Sequence, residues 1–176
     1  GVAYLVRELH ADAGVVISAS HNPYEYNGIK FFNSEGFKLD DAIEDEIEAI
    51  ATGRKEIPEH CLSGAELGRI VMTGKPAAAL YEEFVRSTAG VRLDGMKIVI
   101  DCANGAASAL AKNVFSGLGA DVTVICSDPD GININDGCGS THPEKLCERV
   151  RQEKADLGLA FDGDADRLIA VDETGT

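Results

Sequence analysis

Basic residues are scarce in this chain: 16 Lys and Arg stand against 30 Asp and Glu over 176 residues, a formal net charge of −14. No nucleic-acid partner and no anionic membrane surface is therefore expected, because phosphate affinity rests on clustered Lys and Arg. Long apolar runs are missing as well. No stretch approaches the ~18 residues that a bilayer span needs, and no basic-then-apolar stretch opens the sequence, so no membrane segment is expected. The 5 cysteines, at positions 61, 102, 126, 138 and 147, contain no C-x-x-C pair. An odd, scattered set reads as reduced thiols of a cytoplasmic protein rather than as a disulfide frame or a zinc site. Internal repeats of fixed period and low-complexity segments are absent too.

What is present is ordinary globular material, 44% apolar and 26% charged. A chain of this size buries about 70% of its exposable surface on folding, so a core needs no staples. The first residue is Gly1, inside a helix-like stretch (Val2, Leu5, Val6, Leu9), and Thr176 follows the turn signal Glu173-Thr174-Gly175. Both ends read as cuts from something longer, whose function this piece is expected not to perform alone.

The apolar spacing predicts a helix over residues 1–11 stopped by Ala13-Gly14, and a short buried strand at Val15-Val16-Ile17 emptying into Ser18-Ala19-Ser20-His21-Asn22-Pro23. Residues 29–32 read as a second strand, with a turn at 33–36. A helix is predicted over 40–52, with Asp41 and Glu44 as a capping box and Ile43, Ile47 and Ile50 on one face. Six acids crowd positions 40–48; a solvated helix face accounts for them better than a metal or a cationic partner. Residues 53–75 look irregular, and a domain boundary is placed near 72. Pro76 opens a helix to Thr88, with Gly90 as its stop. From there strands at 97–101, 122–125, 157–161 and 168–172 alternate with helices at 106–116 and at about 141–154. That alternation predicts an α/β protein with mixed, mostly parallel sheets flanked by helices, in two partial domains, 1–71 and 72–176.

The strongest chemical signal is Asp162-Gly163-Asp164-Ala165-Asp166-Arg167. Three carboxylates at alternate positions can converge on one cation, and oxygen-only ligands favour Mg²⁺, Mn²⁺ or Ca²⁺ over zinc. An EF-hand would put Asp162, Asp164 and Asp166 at its first ligand positions and Glu173 at its last. Arg167, however, stands where that loop needs glycine, and the flanks read as strands. Two readings stay open. In one, Asp162 is the nucleophile of an aspartyl-phosphate phosphatase with Asp164 as its acid. In the other, all three acids hold one divalent ion and Arg167 meets an anionic group beside it.

Ser18 to Pro23 leaves a strand end, where functional groups are commonly displayed. A Ser beside a His suggests a hydrolase, yet neighbours in sequence rarely achieve nucleophile-to-base geometry, and no G-x-S-x-G elbow is present. A plain turn and an active loop are equally compatible with these residues. Lys30, beyond Gly28, can return to the loop or stand as a surface charge.

Together, Ser-Ala-Ser-His-Asn-Pro, the downstream Asn-Gly-Ile-Lys and the later Asp-Gly-Asp-Ala-Asp-Arg resemble the α-D-phosphohexomutase family. The likeness covers essentially the whole chain. Ile-Ser-Ala-Ser-His-Asn-Pro-Tyr-Glu-Tyr-Asn-Gly-Ile-Lys-Phe-Phe and Cys-Gly-Ser-Thr-His-Pro-Glu look most like its bacterial amino-sugar branch. The resemblance implies Ser20 as the phosphoserine that gives and takes the phosphoryl group. It implies Asp162, Asp164 and Asp166 as Mg²⁺ ligands, with the Ser20 phosphate completing the site, and His21 and Lys30 as active-site groups beside that phosphate. Arg167 and Asn22 are implied as substrate-side contacts. His142 is a further candidate contact, although an entry position between a capping Thr141 and Pro143 explains it as well. The implied reaction interconverts glucosamine 6-phosphate and glucosamine 1-phosphate through a bisphosphate. Glucose and mannose phosphates are the alternative substrates, and a non-catalytic metal-binding module is the alternative of another class. Members have four domains, of which this chain holds part of the first and most of the second. The sugar-recognition and phosphate-gripping loops of the other two are missing, so the piece is expected to bind Mg²⁺ weakly without turnover. A homodimer of the longer parent is left open. No chemistry is assigned to the loop 128–133, which is expected to be structural.

Overall fold

The computed structural model describes residues 1–56, 62–71 and 77–176. The boundary expected near 72, the helix-opening Pro76 and Cys61 lie outside the described residues. The chain forms two compact units, one from Gly1–Val16 and Lys30–Ala77, the other from Ile17–Ile29 and Ala78–Thr176.

Helix α1 (Val2–Glu8) precedes strand β1 (Ala13–Ser18), which pairs with β2 (Gly28–Asn33) in a two-stranded sheet; helix α2 (Asp41–Ala51) follows in the first unit. Gly14 does not stop α1 but is the second residue of β1. A Cβ there would collide with Val6 Cγ2 and stand 2.9 Å from Val2 Cγ1, so glycine lets helix and strand touch. The strand expected to be buried is not: Val15 is 52% and Ile17 72% exposed, because among the described residues β1 has β2 as its only sheet partner. The expected capping box at Asp41 and Glu44 also gives way. The cap residue is Asp40, without a side-chain cap bond, while Asp41 and Glu44 lie in the first turn, where the helix dipole favours acids. Glu48 pairs with Arg54 at 2.6 Å and Glu46 with Lys55, both pairs exposed, as a solvated acidic face requires.

In the second unit, helix α3 (Ala77–Thr88) leads into β3 (Lys97–Asp101), α4 (Ala111–Gly117), β4 (Asp121–Ile125), α5 (Glu144–Glu153), β5 (Leu157–Phe161) and β6 (Leu168–Asp172). The sheet order is β4-β3-β5-β6. β3 pairs parallel with β4, Lys97 opposite Asp121, and with β5, Ile98 opposite Leu157, while β5 and β6 are antiparallel. Helices cover both faces, so the central strand reads as a continuous apolar run. Ile98 and Ile100 pack with Ala107, Ala111 and Leu159 on one face; Val99 packs with Leu146, Val150 and Ala160 on the other.

Two helix starts differ from expectation. Residues 106–109 form a 3₁₀ turn, and α4 begins only after Leu110, at φ −120° and ψ −40°. The Ala106 N–H, a first-turn donor that a helix would leave without an internal acceptor, donates to Gly163 O at 2.8 Å and anchors this turn to the β5 loop. Helix α5 is preceded by Pro143 as its cap residue, with no side-chain cap bond, so Thr141 does not cap it.

The last turn is organised by Asp172. Its Oδ1 accepts from Thr174 N at 2.9 Å, Thr174 Oγ1 at 2.7 Å and Thr176 N at 3.1 Å. These donors, the Thr174 side chain foremost, hold its carboxyl below the usual value. A depressed carboxyl contributes stability that is present above the unfolded-state pKa and is lost as pH falls through the folded one. Asp172→Asn is therefore expected to lower the melting temperature at neutral pH, the two proteins converging in acid; a constant gap across a pH series of thermal melts would contradict this.

Candidate metal and phosphoryl-transfer site

β3 and β5 are parallel, so their carboxyl ends open on one edge of the sheet, where α/β proteins display their ligand loops. Residues 101–105 leave β3 and residues 162–167 leave β5. The segment Ile17–Ile29, carrying the serine loop, belongs to the same compact unit.

The acidic loop folds around its own first carboxylate. Asp162 is fully buried, and its Oδ1 accepts the backbone N–H groups of Asp166 and Arg167, each at 3.2 Å. Ala165 supports the turn with φ +59° and donates its N–H to Asp162 O at 3.0 Å. Asp162 Oδ2 is buried without a hydrogen-bond donor, facing Arg167 Nε at 3.9 Å. Burial first, then the negative charges of Asp164 and Asp166, pushes the Asp162 carboxyl above its usual value, against the N–H of Arg167 that lowers it. One oxygen from each of Asp162, Asp164 and Asp166 lies within 4.8 Å of the others. A buried carboxylate oxygen with no donor, inside an all-oxygen cluster, fits a hard divalent cation.

The serine loop is held in a strained conformation. Ser20 has φ +54°, a left-handed conformation costing about 1–2 kcal/mol outside glycine. Its N–H donates to Ser18 Oγ at 2.9 Å, and Asn22 N closes a turn on Ala19 O at 3.0 Å. The residue that fixes this turn is Asn135, to which the sequence reading gave no role. Its Nδ2 donates to Ser20 O at 2.8 Å and to Asn22 O at 2.9 Å. Asn135 is itself left-handed, φ +59°, and its N–H donates to Ala103 O at 2.9 Å. One residue thus ties the serine turn, through its side chain, to the β3 loop, through its backbone N–H. The neighbouring loop is knitted internally: Asp130 Oδ1 accepts from Ile132 N, and Asn133 Nδ2 donates to Asp128 O.

The acidic loop meets the serine loop through backbone. A Cβ on Gly163 would collide with Ser20 O and stand 2.7 Å from Ile134 Cδ1 and 3.0 Å from Asn135 Nδ2. Ser20, His21, Asn22 and the residues 162–167 are therefore gathered in one unit. His21, whose Nδ1 is buried without a hydrogen-bond partner, and the exposed His142 line a common cleft of about 420 Å³ with Tyr24, Glu25 and Asn135. Lys30 stands half-buried on β2, in the other compact unit.

Asn135→Asp keeps the shape and the tolerance for positive φ but removes both donors and sets a carboxylate against two carbonyl oxygens. Asn22 is exposed and Ser20 half-buried, so each lost bond costs about 0.5–1.5 kcal/mol, to which the repulsion of the new carboxylate by the two carbonyl oxygens adds. The variant is expected to melt several degrees lower, with the Ser20–Asn22 turn opened to proteolysis; unchanged protease resistance would contradict the clamp.

The family described as Phosphoglucomutase/phosphomannomutase, alpha/beta/alpha domain I, matches residues 1–57, and its alpha/beta/alpha domain II matches residues 79–175. The chain is 59% identical to a phosphoglucosamine mutase of Pelotomaculum thermopropionicum, over 99% of this chain and 39% of that protein. It is 58% identical to a phosphoglucosamine mutase of Clostridium acetobutylicum, over 99% of this chain and 38% of that one. The chain thus spans about two fifths of the length of these curated relatives. Among solved structures, a phosphoglucomutase/phosphomannomutase family protein of Burkholderia thailandensis superposes with a TM-score of 0.69 at 30% identity, covering 94% of this chain and 34% of that one. The N-acetylphosphoglucosamine mutase of Aspergillus fumigatus, in complex with glucose 1,6-bisphosphate, shares the fold at a TM-score of 0.56 and 19% identity, over 99% of this chain and 47% of that one.

Proposed function

The chain belongs to the phosphoglucomutase/phosphomannomutase family, and we propose that it is the part of a phosphoglucosamine mutase that carries the phosphoserine and the metal loop. Residues 1–71 supply the end of the first domain and 72–176 the second. The observation that carries this reading is the docking of the Ser20 turn on the acidic loop: Ser20 O stands so close to Gly163 that a Cβ there would collide with it, and Asn135 Nδ2 holds Ser20 O at 2.8 Å.

The reaction follows from what these groups can do. Phospho-Ser20 gives its phosphoryl group to the free hydroxyl of a hexosamine monophosphate. The P–O bond to Ser20 Oγ breaks as the bond to the sugar oxygen forms. The bisphosphate then turns over in the site and its other phosphoryl group returns to Ser20 Oγ, so glucosamine 6-phosphate and glucosamine 1-phosphate interconvert with no net phosphate consumed. The family is generally Mg²⁺-dependent; Asp162, Asp164 and Asp166 are the residues that would hold such an ion here, and it would supply charge neutralisation at the transferring group. Ser20 is held at a fixed angle by its strained φ and by Asn135, which supplies positioning, the larger part of phosphoryl-transfer catalysis. Lys30 and His21 are the candidates to take the sugar proton and return it, and Arg167, Asn22 and His142 to meet the substrate. With four described cysteines unpaired, a cytoplasmic setting is part of the proposal. Nucleic acid and membrane are not, on the charge balance; among the described residues no helix is long and apolar enough to cross a membrane.

The aspartyl-phosphate alternative asks Asp162 to attack phosphorus. That carboxylate is fully buried, and one of its oxygens already accepts two N–H groups, an arrangement suited to a fixed ligand. The deciding experiment is a phosphopeptide map after incubating the chain with glucosamine 1,6-bisphosphate and Mg²⁺. One acid-stable phosphate on Ser20, kept in Ser18→Ala and lost in Ser20→Ala, is expected; label on Asp162, or on Ser18 alone, would overturn the reading.

A further inference from the structure

A second group of ligand-type side chains lies apart from the acidic loop. Asp101 ends β3, Cys126 follows β4, and Cys138 sits in the loop before α5. One ligand atom of each lies within 4.8 Å of the other two. Asp101 is 0% exposed; its Oδ1 accepts from Ala103 N at 2.9 Å, while Oδ2 is buried without a close hydrogen bond, the Gly139 N–H and the Cys126 thiol being the other donors beside the carboxyl. Cys138 is also 0% exposed. Cys126 is half-buried and lines an open cleft of about 300 Å³ with Lys145 and Glu148.

We propose that Asp101, Cys126 and Cys138 form a metal site of their own, built for a thiophilic divalent cation of the zinc class and entered from the cleft over Cys126. Two sulfurs and a carboxylate oxygen are a ligand set for Zn²⁺ or Co²⁺, whereas Mg²⁺ and Ca²⁺ prefer oxygen alone. Ligands of one tetrahedral ion at about 2.0–2.3 Å stand about 3.3–3.8 Å apart, so closing the group on a cation takes a contraction of at most about 1.5 Å. The surroundings supply the outer hydrogen bonds that such sites use. Asn104 N donates to Cys126 O at 2.6 Å, and Asn104 Nδ2 reaches Cys138 Sγ at 3.8 Å and Asn133 O at 3.2 Å. Binding exchanges two thiol protons, released to solvent, for the dication. Two thiolates and the carboxylate then leave the filled site one charge negative, which Lys145 at the cleft wall offsets. The fourth position faces the cleft and is left to water.

Such an ion joins three chain segments, and Cys138 lies three residues from Asn135, whose side chain holds the Ser20 turn. The site is structural in role, stiffening the loop from which that clamp projects. Cysteine spacing misses it because its ligands come from the ends of two strands and a loop, with no C-x-x-C among them.

The test is a titration of the chelator-treated chain with Co²⁺. A thiolate-to-cobalt charge-transfer absorption saturating at one equivalent is expected, removed by Zn²⁺ and untouched by excess Mg²⁺. Cys126→Ser and Cys138→Ser are expected to abolish the band and to weaken Zn²⁺ binding at least about 100-fold, since even outer-shell losses cost 10–100-fold. Cys147→Ser and Asp162→Asn are expected to keep the band. If Cys138→Ser fails to fold, judged by its circular dichroism, the half-buried Cys126→Ser carries the test. No sulfur charge-transfer band in the wild-type chain, or one that survives in Cys126→Ser, would overturn the site.

Discussion

Placing a single methyl group on residue 163 is expected to slow phosphorylation of Ser20 by about 100-fold, the penalty typical of a misplacement of about 1 Å in a positioned reaction. Gly163 is enclosed by backbone on two sides. Toward the serine loop, its Cβ would collide with Ser20 O, and Ser20 O cannot retreat freely because Asn135 Nδ2 grips it at 2.8 Å. Away from it, Gly163 Cα already stands 2.7 Å from where a Cβ on Gly105 would be, and Gly163 O is tied to Ala106 N at 2.8 Å. The loop therefore has no direction in which to relieve the clash, and overpacking of this kind costs about 1–3 kcal/mol. Gly163 does not have a positive φ, so the cost of Gly163→Ala is close approach and not backbone strain. Gly90→Ala is the matched control: its φ is not positive and nothing lies within 4 Å of the added Cβ. That variant is expected to be neutral or slightly stabilised, by up to about 1 kcal/mol, through the unfolded state. Thermal melts with a time course of Ser20 phosphorylation from a sugar bisphosphate check both. Equal behaviour of the two alanine variants would show that the loops do not depend on this contact.

The same contact shows what could be read from sequence and what could not. The strands of residues 97–172 were legible to within a residue, because β-branched runs between turn residues are what a sheet covered on both faces demands of its central strands. The acidic loop was legible for a different reason: its three carboxylates are two residues apart, so proximity in space follows from proximity in the chain. Asn135 had no such signal. Its acceptors, Ser20 O and Asn22 O, are 115 and 113 residues away, and a lone Asn in a glycine-bearing loop looks like any turn residue. Gly14 was misread as a helix stop because glycine's two uses, positive φ and close approach, look alike in a sequence; here Val2 and Val6 need the missing side chain. The start of α4 failed on similar grounds. The break falls at Leu110, whose φ of −120° separates the 3₁₀ turn from α4, and the turn is anchored through Ala106 N to Gly163 O, a partner that the local pattern does not show.

Asp162→Asn is expected to reverse sign between stability and function. In the absence of a divalent cation the carboxylate is fully buried, and Oδ2 has no donor. Its charge is opposed by burial and by Asp164 and Asp166, with only the Arg167 guanidinium nearby, at 3.9 Å from Nε. The neutral amide keeps an oxygen for the N–H groups of Asp166 and Arg167 and sheds the charge, so the cation-free variant is expected to melt at or above the wild-type temperature. Addition of Mg²⁺ inverts the order. A ligand that binds only the folded chain stabilises it by about 2.7 kcal/mol at 100 times its Kd; wild type gains this, and the variant, lacking the central carboxylate, does not. Ser20 phosphorylation is expected to fall by about 10²–10³-fold, the usual cost of removing one electrostatic stabiliser from a transition state. A cost in stability with no cation present, together with an undiminished Mg²⁺-induced rise in melting temperature, would place the metal elsewhere than on Asp162. The two readouts separate a ligand from a structural residue, because a carboxylate that merely held the turn would cost stability with or without the cation.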